Sequence, residues 1–217
     1  MVAIDGPSGS GKSTIARGIA SALGLQVLDT GAMYRAIALA ALESETALDD
    51  GDACAAIARE HTITLDKGVT SIDGRDVSAE IRGPEVTAAV STVAAQPAVR
   101  EVLVAHQRAW VTEHGGGVVE GRDIGTVVFP AALLKVYLTA SDDERARRRQ
   151  LEEAASARNV AVDDVRSALV RRDAIDSGRV VSPLRSAEDA IVVDTTTRDV
   201  DDLVAELVAR ARAAGVA

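Results

Sequence analysis

The sequence predicts an α/β fold: a five-stranded parallel sheet with helices on both faces. Two observations carry that expectation. Short apolar runs alternate with stretches of helical periodicity, which implies right-handed βαβ units. The 217 residues are 47% apolar, enough for one sizeable core, and with aromatics at 2% that core must be built from Ala, Val, Leu and Ile.

Val2-Ala3-Ile4-Asp5, ended by Gly6 and Pro7, reads as a strand buried on both faces. Residues 12–23 read as a helix stopped by Gly24, Val27-Leu28 as a second strand, and residues 31–42 as a helix with Thr30 as its N-cap. A β-flavoured patch follows at 62–65 and 69–77, with Lys67-Gly68 and Asp73-Gly74 as its turns. A long helix is expected from Pro97 to the Gly115-Gly116-Gly117 run. Val118-Val119-Glu120 and Leu134 to Leu138 read as the third and fourth strands. Residues 142–156 and 162–175 read as helices, Ile191 to Asp194 as the fifth strand, and 200–213 as an amphipathic helix with Val204, Leu207 and Val208 on its apolar stripe.

Charge and cysteine usage narrow the function. The 24 basic and 33 acidic residues give a net charge of −9, which argues against a general nucleic-acid or anionic-membrane binder. One cysteine, Cys54, excludes a disulfide framework within the chain or a cysteine metal cluster and fits a reducing compartment. No apolar run reaches the ~18 residues of a membrane span, and the N-terminus does not read as a secretory signal. A soluble, cytoplasmic protein is the expectation. Residues 43–80 are net −7, whereas residues 140–185 hold ten arginines against nine acids.

The strongest motif is Gly6-Pro7-Ser8-Gly9-Ser10-Gly11-Lys12-Ser13-Thr14, which fits G-x-x-x-x-G-K-[ST] between an apolar strand and a helix. Glycines let successive backbone N–H groups point at phosphate oxygens, and the following helix adds the positive end of its dipole. In this pattern Lys12 reaches the β and γ phosphates, the Ser13 hydroxyl ligates Mg²⁺, and Thr14 adds a hydroxyl toward the α phosphate. A bound nucleoside triphosphate is therefore expected. A guanine-reading switch would need an Asn-Lys-x-Asp stretch, and the sole asparagine, Asn159, is followed by Val160. A motor or nucleic-acid ATPase would be larger and more basic. A small-molecule kinase fits the size.

Four separated motifs then carry a resemblance: Ala3 to Gly9, Leu28-Asp29-Thr30-Gly31-Ala32-Met33-Tyr34-Arg35, Glu120-Gly121-Arg122-Asp123-Ile124-Gly125-Thr126 through Pro130, and Arg172-Asp173 through Asp176 and Arg179 to Leu184. Over nearly its whole length the chain resembles the bacterial cytidylate kinases of the nucleoside monophosphate kinase family. The resemblance implies a P-loop kinase core, with core residues near 1–34, 97–140 and 183–217, a monophosphate-binding region near 35–96 containing the β patch, and a helical lid near 141–182. It implies ATP-dependent phosphorylation of CMP, and of dCMP, with Mg²⁺. By motif, Thr30, Arg35, Ser91, Arg100, Arg122, Asp123, Arg172, Asp176 and Arg179 would contact the acceptor nucleotide.

The chemistry of these residue types agrees. Arginines suit bidentate capture of a dianionic phosphate, the role expected of Arg35 and Arg122. The exocyclic amino group of cytosine donates to a carboxylate, here Asp123, with Ser91 and Arg100 for the ring nitrogen or carbonyl. Asp176 and Arg179 would read the sugar. Arg145, Arg149, Arg171 and Arg172 are the candidates for charge stabilisation at the transferring phosphoryl, while Arg147 and Arg148 are expected on a solvated helix face beside Asp143 and Glu144. Glu120 would help order Mg²⁺ through water. His61, His106 and His114 are read as ordinary surface or core residues. The alternatives are a kinase of UMP, shikimate or gluconate, and a nucleotide-binding module without catalysis.

Overall fold

Runs of branched apolar residues become the strands, and the longer alanine-rich stretches become the helices. The computed structural model describes residues 1–66, 68–155 and 161–216. In chain order the elements are β1 (Val2–Asp5), α1 (Lys12–Leu23), β2 (Val27–Asp29), α2 (Thr30–Glu43), α3 (Gly51–Glu60), β3 (Ile63–Asp66), β4 (Val69–Ile72), β5 (Arg75–Asp76), α4 (Pro84–Ala95) and α5 (Pro97–Glu113). They continue with β6 (Val118–Gly121), β7 (Leu134–Thr139), α6 (Asp142–Ala155), α7 (Val162–Gly178), β8 (Ile191–Asp194) and α8 (Val200–Ala213). The five-stranded sheet has the order β2-β6-β1-β7-β8. Its central strand β1 is buried throughout and pairs in parallel on both sides, Val2 opposite Val118 and Leu134, Asp5 opposite Gly121 and Tyr137. β8 adds to β7 in parallel, Val136 opposite Ile191. The five expected strands are all present.

The chain forms two compact units, residues 1–26 with 117–217, and residues 27–116. In the first, α1 follows the phosphate loop and ends at Gly24, whose left-handed backbone lets its N–H return to the Ala20 carbonyl. α8 packs on α1 so closely that Gly18 has no room for a side chain: a Cβ there would lie 2.6 Å from Cγ2 of Val204. α6 and α7 form a pair with a small core of their own, Ala146, Val165 and Leu169 with Val162 beside it. The helix expected to end at residue 156 is described to Ala155; position 156 lies outside the described residues.

In the second unit α2 begins one residue earlier than expected. Asp29, not Thr30, is its cap: Asp29 is extended and its Oδ1 accepts the Ala32 N–H at 3.1 Å. α3 and α4 were not expected from periodicity. α3 is capped by Asp50, which accepts from Ala53 N, and buries Cys54, Ala55, Ile57 and Ala58. α4 opens on Pro84 and stops at Gln96, because Pro97 forces the residue before it out of the helical region. The long helix expected from Pro97 is α5. β3, β4 and β5 form the expected antiparallel patch, and Asp73-Gly74 turns it with φ of 50° and 84°; Lys67 of the other expected turn lies outside the described residues. Among the described residues no helix is long and apolar enough to cross a membrane.

Gly18→Ala overpacks the α1–α8 seam. The strain of about 1–3 kcal/mol exceeds the helix propensity gained from removing a glycine, so a net loss of stability is expected in urea unfolding. With Val204→Ala in the same chain, Gly18→Ala becomes neutral or stabilising.

Candidate active site

The phosphate loop leaves β1 at Asp5 and enters α1 at Lys12. Gly6 is required at its start: a Cβ there would lie 2.2 Å from the Leu138 carbonyl oxygen, a backbone atom of β7 that cannot yield. Lys12, nearly buried, donates from Nζ to the Pro7 carbonyl at 2.8 Å, so its ammonium lies back across the loop. The Ser13 hydroxyl donates to Oε2 of Glu120 at 2.9 Å. Glu120 is buried on β6, the neighbour of β1. A hydroxyl oxygen and a carboxylate thus stand together at the mouth of the loop, a pair of hard oxygen donors that fits Mg²⁺, which takes one or two protein ligands and fills its shell with phosphate and water. Thr14 is exposed.

The loop is also held from behind. The buried Thr195 hydroxyl reaches the Ser10 and Thr139 carbonyls, each at 3.1 Å. Arg148 donates to the Thr195 hydroxyl at 2.9 Å and to its carbonyl at 2.7 Å. Arg148 pairs with Glu144 as expected, but it is half-buried and braces the loop rather than lining a solvated face. Arg147 does pair with Glu144 on the exposed face.

β6 ends at Gly121, and the next residues, Arg122 and Asp123, precede one wide turn in which Val128 N bonds the Asp123 carbonyl and Phe129 N the Ile124 carbonyl. Arg122 Nε donates to Oδ2 of the buried Asp176 at 2.9 Å, and Arg179 Nε donates to the Asp176 carbonyl at 3.2 Å. Arg122, 54 residues before Asp176, is therefore brought together with Asp176 and Arg179 within one unit. Arg172 joins them. Burial first, then the like charges of Arg122 and Arg149, push its pKa down to about 10 against the opposing pull of Asp176 and Asp173, so it stays a cation at neutral pH but an uncomfortable one. Its Nε has no hydrogen-bond partner. Asp123 is buried beside Asp5.

The arginines of α6 and α7 differ in how they are held. Arg145 is buried and bonds the Ser8 carbonyl at 3.1 Å, Asp142 at 2.5 Å and Asp173. Burial lowers its pKa, but those two carboxylates outweigh it and leave the guanidinium above its ordinary value. Arg149 pairs with Glu152 and Glu153 of its own helix. Arg171 is exposed. In the second unit, Thr30 opens α2 and is buried, and Arg35 donates to the Ile81 carbonyl and the Thr87 hydroxyl, both at 2.9 Å. Ser91 is buried on α4, and buried Arg100 lies over the Tyr34 ring, 5.5 Å from its centre.

A model of the cytidylate kinase family matches residues 2–213. The chain belongs to the cytidylate kinase family. It is 49% identical over 211 residues to a cytidylate kinase of Nocardia farcinica, covering 95% of this chain and 91% of that one. To a cytidylate kinase of Desulfitobacterium hafniense it is 48% identical over 207 residues, covering 94% and 89%. A solved structure of an uncharacterised protein from Eubacterium ventriosum, 10% identical, matches with a TM-score of 0.54 over 96% of this chain and 95% of that one, a likeness of fold.

Sequence reasoning passed over Asp5, read only as the end of a strand. Its Oδ1 accepts from Ile124 N at 2.8 Å and its Oδ2 from Gly125 N at 2.7 Å. Tyr137, beside it across the β1–β7 ladder, was also missed; burial, then Asp5, raise its pKa. Burial raises Asp5 to about 6, Asp123 adds to the rise, and the two backbone N–H groups and Lys12 oppose it. A carboxyl raised in the folded state contributes stability that is complete below its unfolded pKa and is lost as pH rises through about 6. Between pH 4 and pH 8 the wild type is expected to lose roughly 3 kcal/mol relative to Asp5→Asn, which cannot ionise, in paired denaturant titrations.

Proposed function

We propose that the enzyme transfers the terminal phosphoryl group of ATP to the phosphate of CMP, and of dCMP, giving the diphosphate and ADP. One observation carries the site assignment. Arg122 and Arg179 meet at the buried Asp176, and Arg172 lies among them with its Nε unpartnered, its pKa held down to about 10 by burial first and by the charges of Arg122 and Arg149, against the pull of Asp176 and Asp173. Such an arrangement costs stability until an anion arrives, and a phosphate group is the anion that arginines capture best. Family membership supplies the acceptor. It does not favour UMP, shikimate or gluconate as the acceptor, or a module without catalysis.

Residues 6–14 cradle the ATP phosphates, with Lys12 on the β and γ oxygens. Ser13 and Glu120 would hold Mg²⁺, which when bound supplies charge neutralisation between the phosphates. Arg122 takes the acceptor phosphate, and Arg172 meets the charge that develops on the transferring group. Arg145, Arg149 and Arg171 are the further candidates; Arg145 reaches a phosphate only by leaving its bonds to Asp142 and Asp173. Asp123 accepts from the cytosine amino group, and Asp176 with Arg179 reads the sugar. From the second unit, Thr30, Arg35, Ser91 and Arg100 are assigned to the acceptor, Arg35 to its phosphate. No general base is needed: a phosphate monoester with a second pKa of about 6 is already ionised at neutral pH, so catalysis is positioning and charge stabilisation. We place the enzyme in the cytoplasm on its single cysteine and small-molecule chemistry, and take it as a monomer, the state that the resemblance to bacterial cytidylate kinases implies.

Lys12→Ala is expected to lower kcat by about 10³-fold or more while the far-ultraviolet dichroism and melting curve stay those of the wild type. Retained turnover removes the loop lysine from the mechanism. A panel of CMP, dCMP, UMP, AMP and GMP tests base reading. CMP should exceed UMP by ~10⁴-fold in kcat/KM, because a uracil carbonyl set against a carboxylate leaves buried polar groups unpaired. Asp123→Ala should collapse that ratio; an equal drop for every acceptor would take base reading away from Asp123.

A further inference from the structure

We propose that Asp5 is a positioning residue for the acceptor: its side chain fixes where Arg122 and Asp123 stand relative to the phosphate loop. The proposal rests on the reading of Arg122 and Asp123 as acceptor contacts. The geometry is built on the sheet. β1 and β6 run parallel with Asp5 opposite Gly121, so the phosphate loop and the Arg122-Asp123 segment leave the sheet side by side. The ladder stops there. Residues 122–125 lie past the last β1–β6 pair, and a loop carrying a phosphate-binding arginine and a base-reading carboxylate tolerates little play.

Asp5 supplies the missing restraint. It is 4% exposed, and each of its oxygens takes one of two consecutive backbone N–H groups, Ile124 and Gly125. Two bonds from one rigid carboxylate fix both the distance and the tilt of that peptide unit, as one bond cannot. The segment also fits tightly from the other side. A Cβ on Gly125 would lie 3.2 Å from Cδ of Lys135 and 3.4 Å from Oδ2 of Asp5. Lys135 in turn is held by both oxygens of Asp189 at 2.8 Å. Residue 125 is thus set between a restrained side chain and the carboxylate, and the two residues before Ile124 inherit that placement. The same Asp5 begins the chain's turn into Gly6, so the restraint links the two loops directly through one residue.

Asp5→Asn keeps the shape and replaces one acceptor oxygen with a donor facing an N–H. Steady-state kinetics should show KM for CMP raised about tenfold, the value of one lost hydrogen bond, with KM for ATP changed less than about twofold. Gly125→Ala presses on the same clamp without altering the carboxylate and should give the same signature. The double variant should be little worse than either single one, since both act on one contact. Equal rises in both KM values, or unchanged KM for CMP in folded protein, overturn the proposal; if Asp5→Asn does not fold, Gly125→Ala decides by the same criteria. Asp123→Ala is run alongside. If it leaves KM for CMP unchanged, the acceptor reading fails and the proposal with it; if it raises KM for CMP while neither clamp variant does, the clamp alone is wrong.

Discussion

Parallel pairing on both sides of β1 is the constraint from which the chemistry of the first unit follows. Parallel strands emerge at the same end of a sheet, so the phosphate loop after Asp5, the Arg122-Asp123 segment after Gly121 and the approach to α6 after Thr139 are delivered to one edge. The fit at that edge is tight to the level of single atoms. Gly6 passes so near the Leu138 carbonyl that the loop could not start with any other residue. Ser13 and Glu120, from the helix after β1 and from β6 itself, meet because their strands are neighbours.

Electrostatics divides the arginines into those already committed and those held at a cost. Arg147 and Arg149 are satisfied by carboxylates on their own helix, and Arg148 by Glu144 and Thr195. Arg145 has two carboxylates and a loop carbonyl. Arg172 is different: burial, then the charges of Arg122 and Arg149, act against its cation, and Asp176 and Asp173 offset them only in part. A fold selected for stability alone would not retain such a group.

Much of this was legible in the sequence, for reasons that can be stated. The five strands announce themselves as branched apolar runs, and the loop Gly6 to Thr14 has a spacing that only phosphate chemistry explains. α4 was not legible, because its buried face is mostly alanine and valine, which give little contrast with the exposed face, and α3 was not because its apolar face of Cys54, Ala55, Ile57 and Ala58 spans only ten residues. The cap of α2 was misplaced by one residue because Asp29 and Thr30 are both good caps and only the backbone decides. The grouping of Arg122 with Asp176 and Arg179 could be expected only from motif resemblance, since 54 residues separate the first pair. Asp5 was silent: a carboxylate at the end of an apolar strand reads as a boundary until its partners, 119 and 120 residues away, are seen.

The paired helices α6 and α7 keep a small apolar seam between themselves, formed by Ala146, Val165 and Leu169. A hairpin that seals its own oily joint can tilt as a stiff paddle without wetting new hydrocarbon. It rests on the phosphate loop through Arg145, which bonds the Ser8 carbonyl and whose backbone occupies the space a Cβ on Gly9 would need, and on the turn after β8 through Arg148, which bonds the Thr195 carbonyl. Contacts of that kind, sheltered and made to neutral oxygens, change little with dissolved salt, so the footing of the hairpin on the loop holds from dilute to concentrated buffer.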